Sequence, residues 1–137
     1  NCTEMMSLMT EQEPYVGVEA AIGDLPDPDS DHDVDNHVSI NHAESTVEKL
    51  RETEHGQAKH PAYARAYPDE PAFTLVAGKS APPVHHEEPR RLTVRECARL
   101  QTFPDTFVFK GNKREQYALN GNAVPADLVA SVVEGLL

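Results

Sequence analysis

The chain has 137 residues, with 23 Asp and Glu against 12 Lys and Arg and a formal net charge of −11, a length that holds one domain and not two comfortable ones. With 39% hydrophobic residues, 6% aromatics and no Trp, core side chains are scarce, so part of the chain is expected to stay loose or to need a partner. No apolar run approaches the ~18–20 residues of a membrane span, no basic-then-apolar opening resembles a secretory signal, and Cys2 and Cys97 frame no disulfide scaffold; a reduced, cytoplasmic setting with no membrane is expected.

The charge is uneven. Residues 1–88 carry 18 acids and 5 bases, whereas residues 89–137 carry 5 acids and 7 bases. An acidic chain with only five lysines also suits molar salt, where self-repulsion is screened over ~3 Å, so a halophilic source is one expectation. The first residue is Asn1 rather than Met, read here as a piece of something longer in preference to a trimmed leader.

In chain order, residues 1–14 have no period and read as a ragged end. Residues 17–25 (GVEAAIGDL) place Val18, Ala21, Ile22 and Leu25 at helical spacing, with Pro26 as a stop. The Asp-rich run 27–35 invites a calcium-loop reading, but no frame has Gly at the sixth position and Glu at the twelfth; a solvated acidic loop is the better reading. Residues 41–55 read as a helix with a capping-box-like start at Asn41 and Glu44, an apolar face of Ala43, Val47 and Leu50, and Gly56 as its end. A Pro- and Tyr-bearing loop covers 57–71, a strand is expected over 73–77 (FTLVA) closed by Gly78, and loop returns over 79–90.

The last quarter is more sharply written. Thr93-Val94-Arg95-Glu96 is a capping box, with Leu92 and Cys97 at the two staple positions, and predicts a helix over 94–102 that stops before Pro104. Residues 105–109 are expected to be extended, with a turn at Gly111. Gly121-Asn122-Ala123-Val124-Pro125 reads as a tight loop with Pro125 at a first helical position, and Val129, Val132, Val133 and Leu136 then mark an amphipathic closing helix. The seven histidines show neither CxxC nor HExxH spacing; scattered surface histidines are the simpler reading, and no metal site is expected.

Residues 91–105 (RLTVRECARLQTFPD) and 121–125 (GNAVP) together resemble the last two motifs of the DNA cytosine-5 methyltransferases, at that family's usual separation. More loosely, AAIGDLP at 20–26 resembles the segment leading into the family's target-recognition domain, and Thr74-Leu75 its Thr-Leu pair. The resemblance implies an α/β fold class: the C-terminal part of a Rossmann-like, S-adenosylmethionine-dependent methyltransferase with a small mixed α+β target-recognition domain. Its implied organisation is a lead-in with a short helix of the catalytic domain (1–26), a target-recognition domain (27–88), and a bracing helix, GNAVP loop and closing helix of the catalytic domain (89–137).

The family's activity, also implied by the resemblance, is to flip a cytosine from the duplex, attack its C6 with a cysteine thiolate, and move a methyl group from S-adenosyl-L-methionine to C5. The Pro-Cys dipeptide, the Glu-Asn-Val element and the glycine-rich cofactor loop of that family are absent from this sequence. Cys2 stands in Asn-Cys-Thr and Cys97 inside the capped helix, so no catalytic residue is expected here. The resemblance assigns the cofactor wall to Asn122, Ala123 and Val124, although Leu119-Asn120 departs from the Gln and aliphatic residue common before that Gly. The bland alternative is that Asn122 and Pro125 merely start a helix. Arg65, Thr74 and Lys79 are the candidate DNA readers, facing a major groove whose base pairs each present their own donor and acceptor pattern. Arg91, Arg95, Glu96 and Arg99 are expected to brace the interface between domains, although the arginines also suit phosphate.

The implied partners are double-stranded DNA and the missing N-terminal catalytic portion, with this chain as its fragment. The alternatives are the small subunit of a two-chain enzyme, whose large subunit supplies the cysteine, and an inactive acidic interaction module.

Overall fold

The computed structural model describes residues 14–56, 64–76 and 82–136. Among them lie five helices: α1 Val18–Ile22, α2 Glu44–Arg51, α3 Val94–Leu100, α4 Lys113–Asn122 and α5 Ala126–Glu134. The expectations for residues 1–13, 57–63 and 77–81, Lys79 included, fall outside the described residues.

The centre is α3. Its start is the capping box read from sequence: Thr93 Oγ1 accepts from the Glu96 N–H at 3.2 Å, and the Glu96 carboxylate accepts from the Thr93 N–H at 2.7 Å. Two donors that a helix start leaves open are thereby satisfied. Leu92 and Cys97, the two staple positions, are buried in one apolar cluster with Val18, Ile22 and Ala66, against which Leu25, Phe73, Leu75 and Tyr117 pack. Val94 and Ala98 point into a second cluster with Phe109 and Phe103, which Tyr117 also joins. So α3 packs on α1 from one side and α4 from the other, and every residue from 91 to 98 is buried.

The helix ends at Leu100, within the usual raggedness of the expected Thr102. The Thr102 N–H bonds Arg99 O at 2.9 Å and the Phe103 N–H reaches back to Ala98 O at 2.9 Å. This is a Schellman stop, whose apolar contact is Phe103 near Ala98. Its left-handed residue, normally Gly, is Thr102 at φ +57°.

Other segments depart from the sequence reading. Residues 73–76, expected in a strand, form no ladder; Phe73 and Leu75 nevertheless pack on the core. Pairing occurs elsewhere, as isolated bridges that set His55 beside Arg65, Arg65 beside Val84, and Val84 beside Arg91. The second helix begins at Glu44 with Ala43 as its cap residue. In that register Glu44 is the first helical residue rather than the third, so no box closes with Asn41. Nor does Gly56 end this helix, which stops at Arg51. Gly56, at φ +68°, turns the chain so that its N–H meets Arg65 O at 2.9 Å. The α1 start is set by tertiary contact as well: the N–H groups of Val18 and Glu19 bond Glu70 O and Pro68 O, both at 3.0 Å. A Cβ at Gly17 would meet Pro68 O at 2.7 Å, so that approach requires glycine.

No helix is expected from the sequence over 113–122, yet α4 is the longest helix described. Its start is a second capping box, Asn112 with Glu115. It carries Gly121 and Asn122 in its last turn, so the expected GNAVP loop shrinks to residues 123–125. Pro125 is the cap residue of α5 rather than its first helical one, a one-residue difference.

Candidate functional site

Around α3 the polar groups are as tightly placed as the apolar ones. Glu96 is buried, and its carboxylate receives both Arg90 Nη atoms at 2.9 and 2.7 Å in addition to the Thr93 N–H. Burial alone would raise its pKa, but the Arg90 pair and the backbone donor outweigh that and hold it below the usual carboxylate value. Behind it, Thr93 Oγ1 lies 2.9 Å from His37 Nδ1, and His37 Nε2 lies 2.7 Å from Pro26 O. The Pro26 carbonyl can only accept, so His37 donates from Nε2 and receives the Thr93 hydroxyl proton at Nδ1. Burial, the largest influence, lowers this imidazole's pKa and so favours the neutral form. His85 is likewise neutral, its pKa lowered to about 4 by burial and then by Arg90. Its Nδ1 accepts from the N–H groups of Glu87 and Glu88 at 3.2 and 3.1 Å.

The four residues expected as a brace all find partners within the chain. Arg95, fully buried, donates to Asp35 O at 3.0 Å, Pro104 O at 3.2 Å and Phe107 O at 2.8 Å. Arg99 grips Asp105 with two bonds of 2.9 and 2.7 Å and also reaches the Asp24 carboxylate. Arg91 Nη1 donates to Pro82 O at 2.6 Å. Arg90, which sequence reasoning missed, is the closest cation to Glu96; its place three residues before the cap threonine was the available signal.

The DNA-reading candidates fare differently. Arg65 is 5% exposed, and its guanidinium donates to Thr53 O, His85 O, Glu88 O and Leu50 O at 2.7–3.1 Å. This corrects the expectation of a base-reading arginine: four of its five N–H groups tie loops together, where a base edge cannot reach them. Thr74 is exposed and lines an open cleft of about 670 Å³. The cleft runs between the 71–75 stretch, the end of α3 and the residues joining α4 to α5.

Of the cofactor candidates, Ala123 lines this cleft, while Asn122 and Val124 are exposed and are not among its lining residues. Ala123 is extended, φ −74° and ψ 156°, and its N–H bonds Asn120 O at 3.1 Å. Asn120, which the sequence reading treated only as a departure, is buried; its Nδ2 donates to Val94 O at 3.2 Å and so fastens α4 to α3.

Directly after this loop, α5 has no buried residue. Leu128, Val129, Val132, Val133 and Leu136 are 48–73% exposed. No exposed cysteine and no metal set is present among the described residues. Cys97 is fully buried and its thiol pKa is pushed far up by burial, and no group of His, Cys, Asp and Glu there could hold a metal. No helix there is long and apolar enough to cross a membrane.

Comparison with known proteins bears on this arrangement. The model of the C-5 cytosine-specific DNA methylase family matches residues 9–137. Type II methyltransferase M.BbvI of Brevibacillus brevis is 34% identical over 143 residues, covering 93% of this chain but 38% of that protein. Type II methyltransferase M.AquIB of Picosynechococcus is 34% identical over 121 residues, covering 75% of this chain and 87% of that protein. A crystal structure described as a prophage-encoded DNA modification methyltransferase from E. coli superposes with a TM-score of 0.61 at 31% identity, over 72% of this chain and 27% of that one. The fold class is therefore the α/β, Rossmann-like one of these methyltransferases, of which this chain holds a part. The chain belongs to the C-5 cytosine-specific DNA methylase family.

Proposed function

We propose that this chain is the C-terminal portion of a DNA (cytosine-5) methyltransferase, which reads the DNA target and completes the S-adenosylmethionine pocket while another portion brings the nucleophile. The observation that carries this reading is α5: an apolar face left open immediately after the Ala123–Pro125 loop. A face of that kind, several side chains wide, belongs against further protein. A loop at its root then becomes one wall of a site whose other walls come from that protein. S-adenosylmethionine, when bound, supplies the methyl group. This chain's share is to present the Asn122 amide for hydrogen bonding, to keep Ala123 small enough for close approach, and to use Val124 to exclude water. Residues 27–88 serve as the target-recognition domain, with Thr74 and Lys79 as its readers, and Arg91, Arg95, Glu96 and Arg99 hold it to the catalytic part. The site of action is cytoplasmic, in a restriction–modification setting such as the type II names of the relatives suggest.

A second reading has its own support. M.AquIB is covered over 87% of its length, so a relative of about this size exists, and this chain can equally be the small subunit of a two-chain enzyme. The test is a methyl-transfer assay with labelled S-adenosylmethionine and duplex DNA, using this chain alone and co-expressed with a segment carrying a Pro-Cys element. Activity is expected only in the mixture. Folded protein that stays silent in both would sink the proposal and leave an interaction module. Running the assay and thermal melts in dilute buffer and in molar KCl tests the halophilic expectation, which requires both to improve with salt.

A further inference from the structure

The helix that follows the candidate cofactor loop has no cap of its own. The residue before it is Pro125, which offers no side-chain acceptor to the first N–H groups of α5. Two of those N–H groups are nevertheless satisfied, and by the end of another helix. The Ala126 N–H bonds Gln101 O at 3.1 Å, and the Asp127 N–H bonds Thr102 Oγ1 at 2.9 Å. On the other side of the loop, Gln101 Nε2 donates to Asn120 O at 3.5 Å, the same carbonyl that receives the Ala123 N–H. Gln101 and Thr102 thus touch the chain just before and just after the loop.

The backbone of Thr102 gives this contact its meaning. At φ +57° a β-branched residue occupies the left-handed region, where Gly is at ease and Thr is strained. A Schellman stop alone would be better served by Gly. What Gly cannot supply is the hydroxyl. The strained turn aims the Gln101 carbonyl and the Thr102 hydroxyl at the α5 start, so the residue that costs α3 stability is the one that anchors α5.

We propose that Gln101 and Thr102 are positioning residues that clamp the Ala123–Pro125 loop by capping α5 from the end of α3. That the clamped loop serves a cofactor rests on the function proposed above. The clamp itself does not, and the two are separable by experiment. In this chain, amide hydrogen exchange is followed for Asp127 and Phe103 in wild type, Thr102→Ser, Thr102→Val and Thr102→Gly. Loss of one hydrogen bond should speed Asp127 exchange about five-fold or more in the Val and Gly variants. Thr102→Ser keeps the hydroxyl and should keep the protection. Phe103, whose N–H belongs to the α3 stop, should be unchanged or better protected in Thr102→Gly, which is free of the strain. Asp127 exchange that is equal in all four proteins, or that changes only in step with Phe103, overturns the clamp.

The co-expressed two-part enzyme gives the second readout, equilibrium binding of S-adenosylmethionine. Binding several-fold weaker in Thr102→Val and restored in Thr102→Ser supports a role toward the cofactor. If wild type binds and Thr102→Val binds equally well, that role is refuted. If wild type itself binds nothing, the function proposed above fails, while the exchange result still decides the clamp.

Discussion

Helices α3 and α5 are close in length and invert the usual relation between polarity and burial. In α3 (VRECARL) three of seven residues are charged, yet Val94 through Ala98 are buried, Arg95 and Glu96 among them. In α5 (ADLVASVVE) the residues are mostly apolar, yet none is buried. The difference lies in where the partners are. Every charge on α3 is met inside the chain, by Arg90, by backbone carbonyls or by Asp105, which is the condition under which buried charge is tolerated. The apolar stripe of α5 has no such partner among the described residues; only its first turn is held, by Gln101 and Thr102. Polarity alone therefore does not say which helix is interior. Completeness of partners does.

The strongest way to break this contrast is to remove one partner at α3. Glu96→Ala leaves Arg90 without its two-pronged acceptor and the Thr93 N–H without its cap, and should cost about 3–5 kcal/mol in denaturant melts, the usual penalty for orphaning one side of a buried pair. A loss below ~1 kcal/mol, the worth of an exposed pair, would mean that water already reaches this site.

Acid should attack the same region by a second route. His85 is neutral in the fold with its pKa lowered to about 4, against about 6.5 in the unfolded chain. Between those values the unfolded state binds more protons, so stability should fall as pH drops from about 6.5 towards 4. Glu96, whose folded value is depressed, adds a loss only at lower pH, below its unfolded value. A melting series against pH should flatten between 6.5 and 4 in His85→Gln; an unchanged slope would remove His85 as the cause.

A smaller effect is expected at Asn36, at φ +63°, whose side chain both accepts from Phe109 N–H at 2.9 Å and donates to Phe109 O at 3.0 Å. Asn36→Gly keeps the backbone at ease and removes only those two bonds, so a loss of about 1–2 kcal/mol is expected by chemical denaturation. Smallest of all should be Val132→Asp on α5, within ~0.5 kcal/mol for the chain alone. The same change should abolish methyl transfer in the co-expressed pair and raise the solubility of the isolated chain. A large destabilisation of the chain alone would show that α5 is not waiting for a partner.

Much of this was legible in the residues themselves, wherever the determining interactions are local. The Thr93–Glu96 box and the Leu92–Cys97 staple are separations of three and five residues, and both form as read. The 3.6-residue period of Val129, Val132, Val133 and Leu136 likewise marked α5 and its single apolar face. Asn112 and Glu115 carry the same local signal for α4, but between the Gly111 turn and the GNAVP motif, both loop signals, it does not stand out.

Long-range partners, by contrast, are set only in the fold. Arg65 looks like a surface cation in a loop of Pro and Tyr. It becomes a buried tie only because carbonyls from residues 50, 53, 85 and 88 converge on it, and no local pattern encodes that meeting. The 73–76 stretch has strand composition, but a strand needs a neighbouring edge, and the available edges pair through residues 55, 65, 84 and 91 instead. Family membership, the capped central helix and the amphipathic pattern of the last helix are legible in the residues, because each is written in short-range spacing. The hydrogen bonds between Arg65 and Thr53, between Thr102 and Asp127 and between Arg95 and Asp35 join residues 12, 25 and 60 apart. Only the folded chain brings those together.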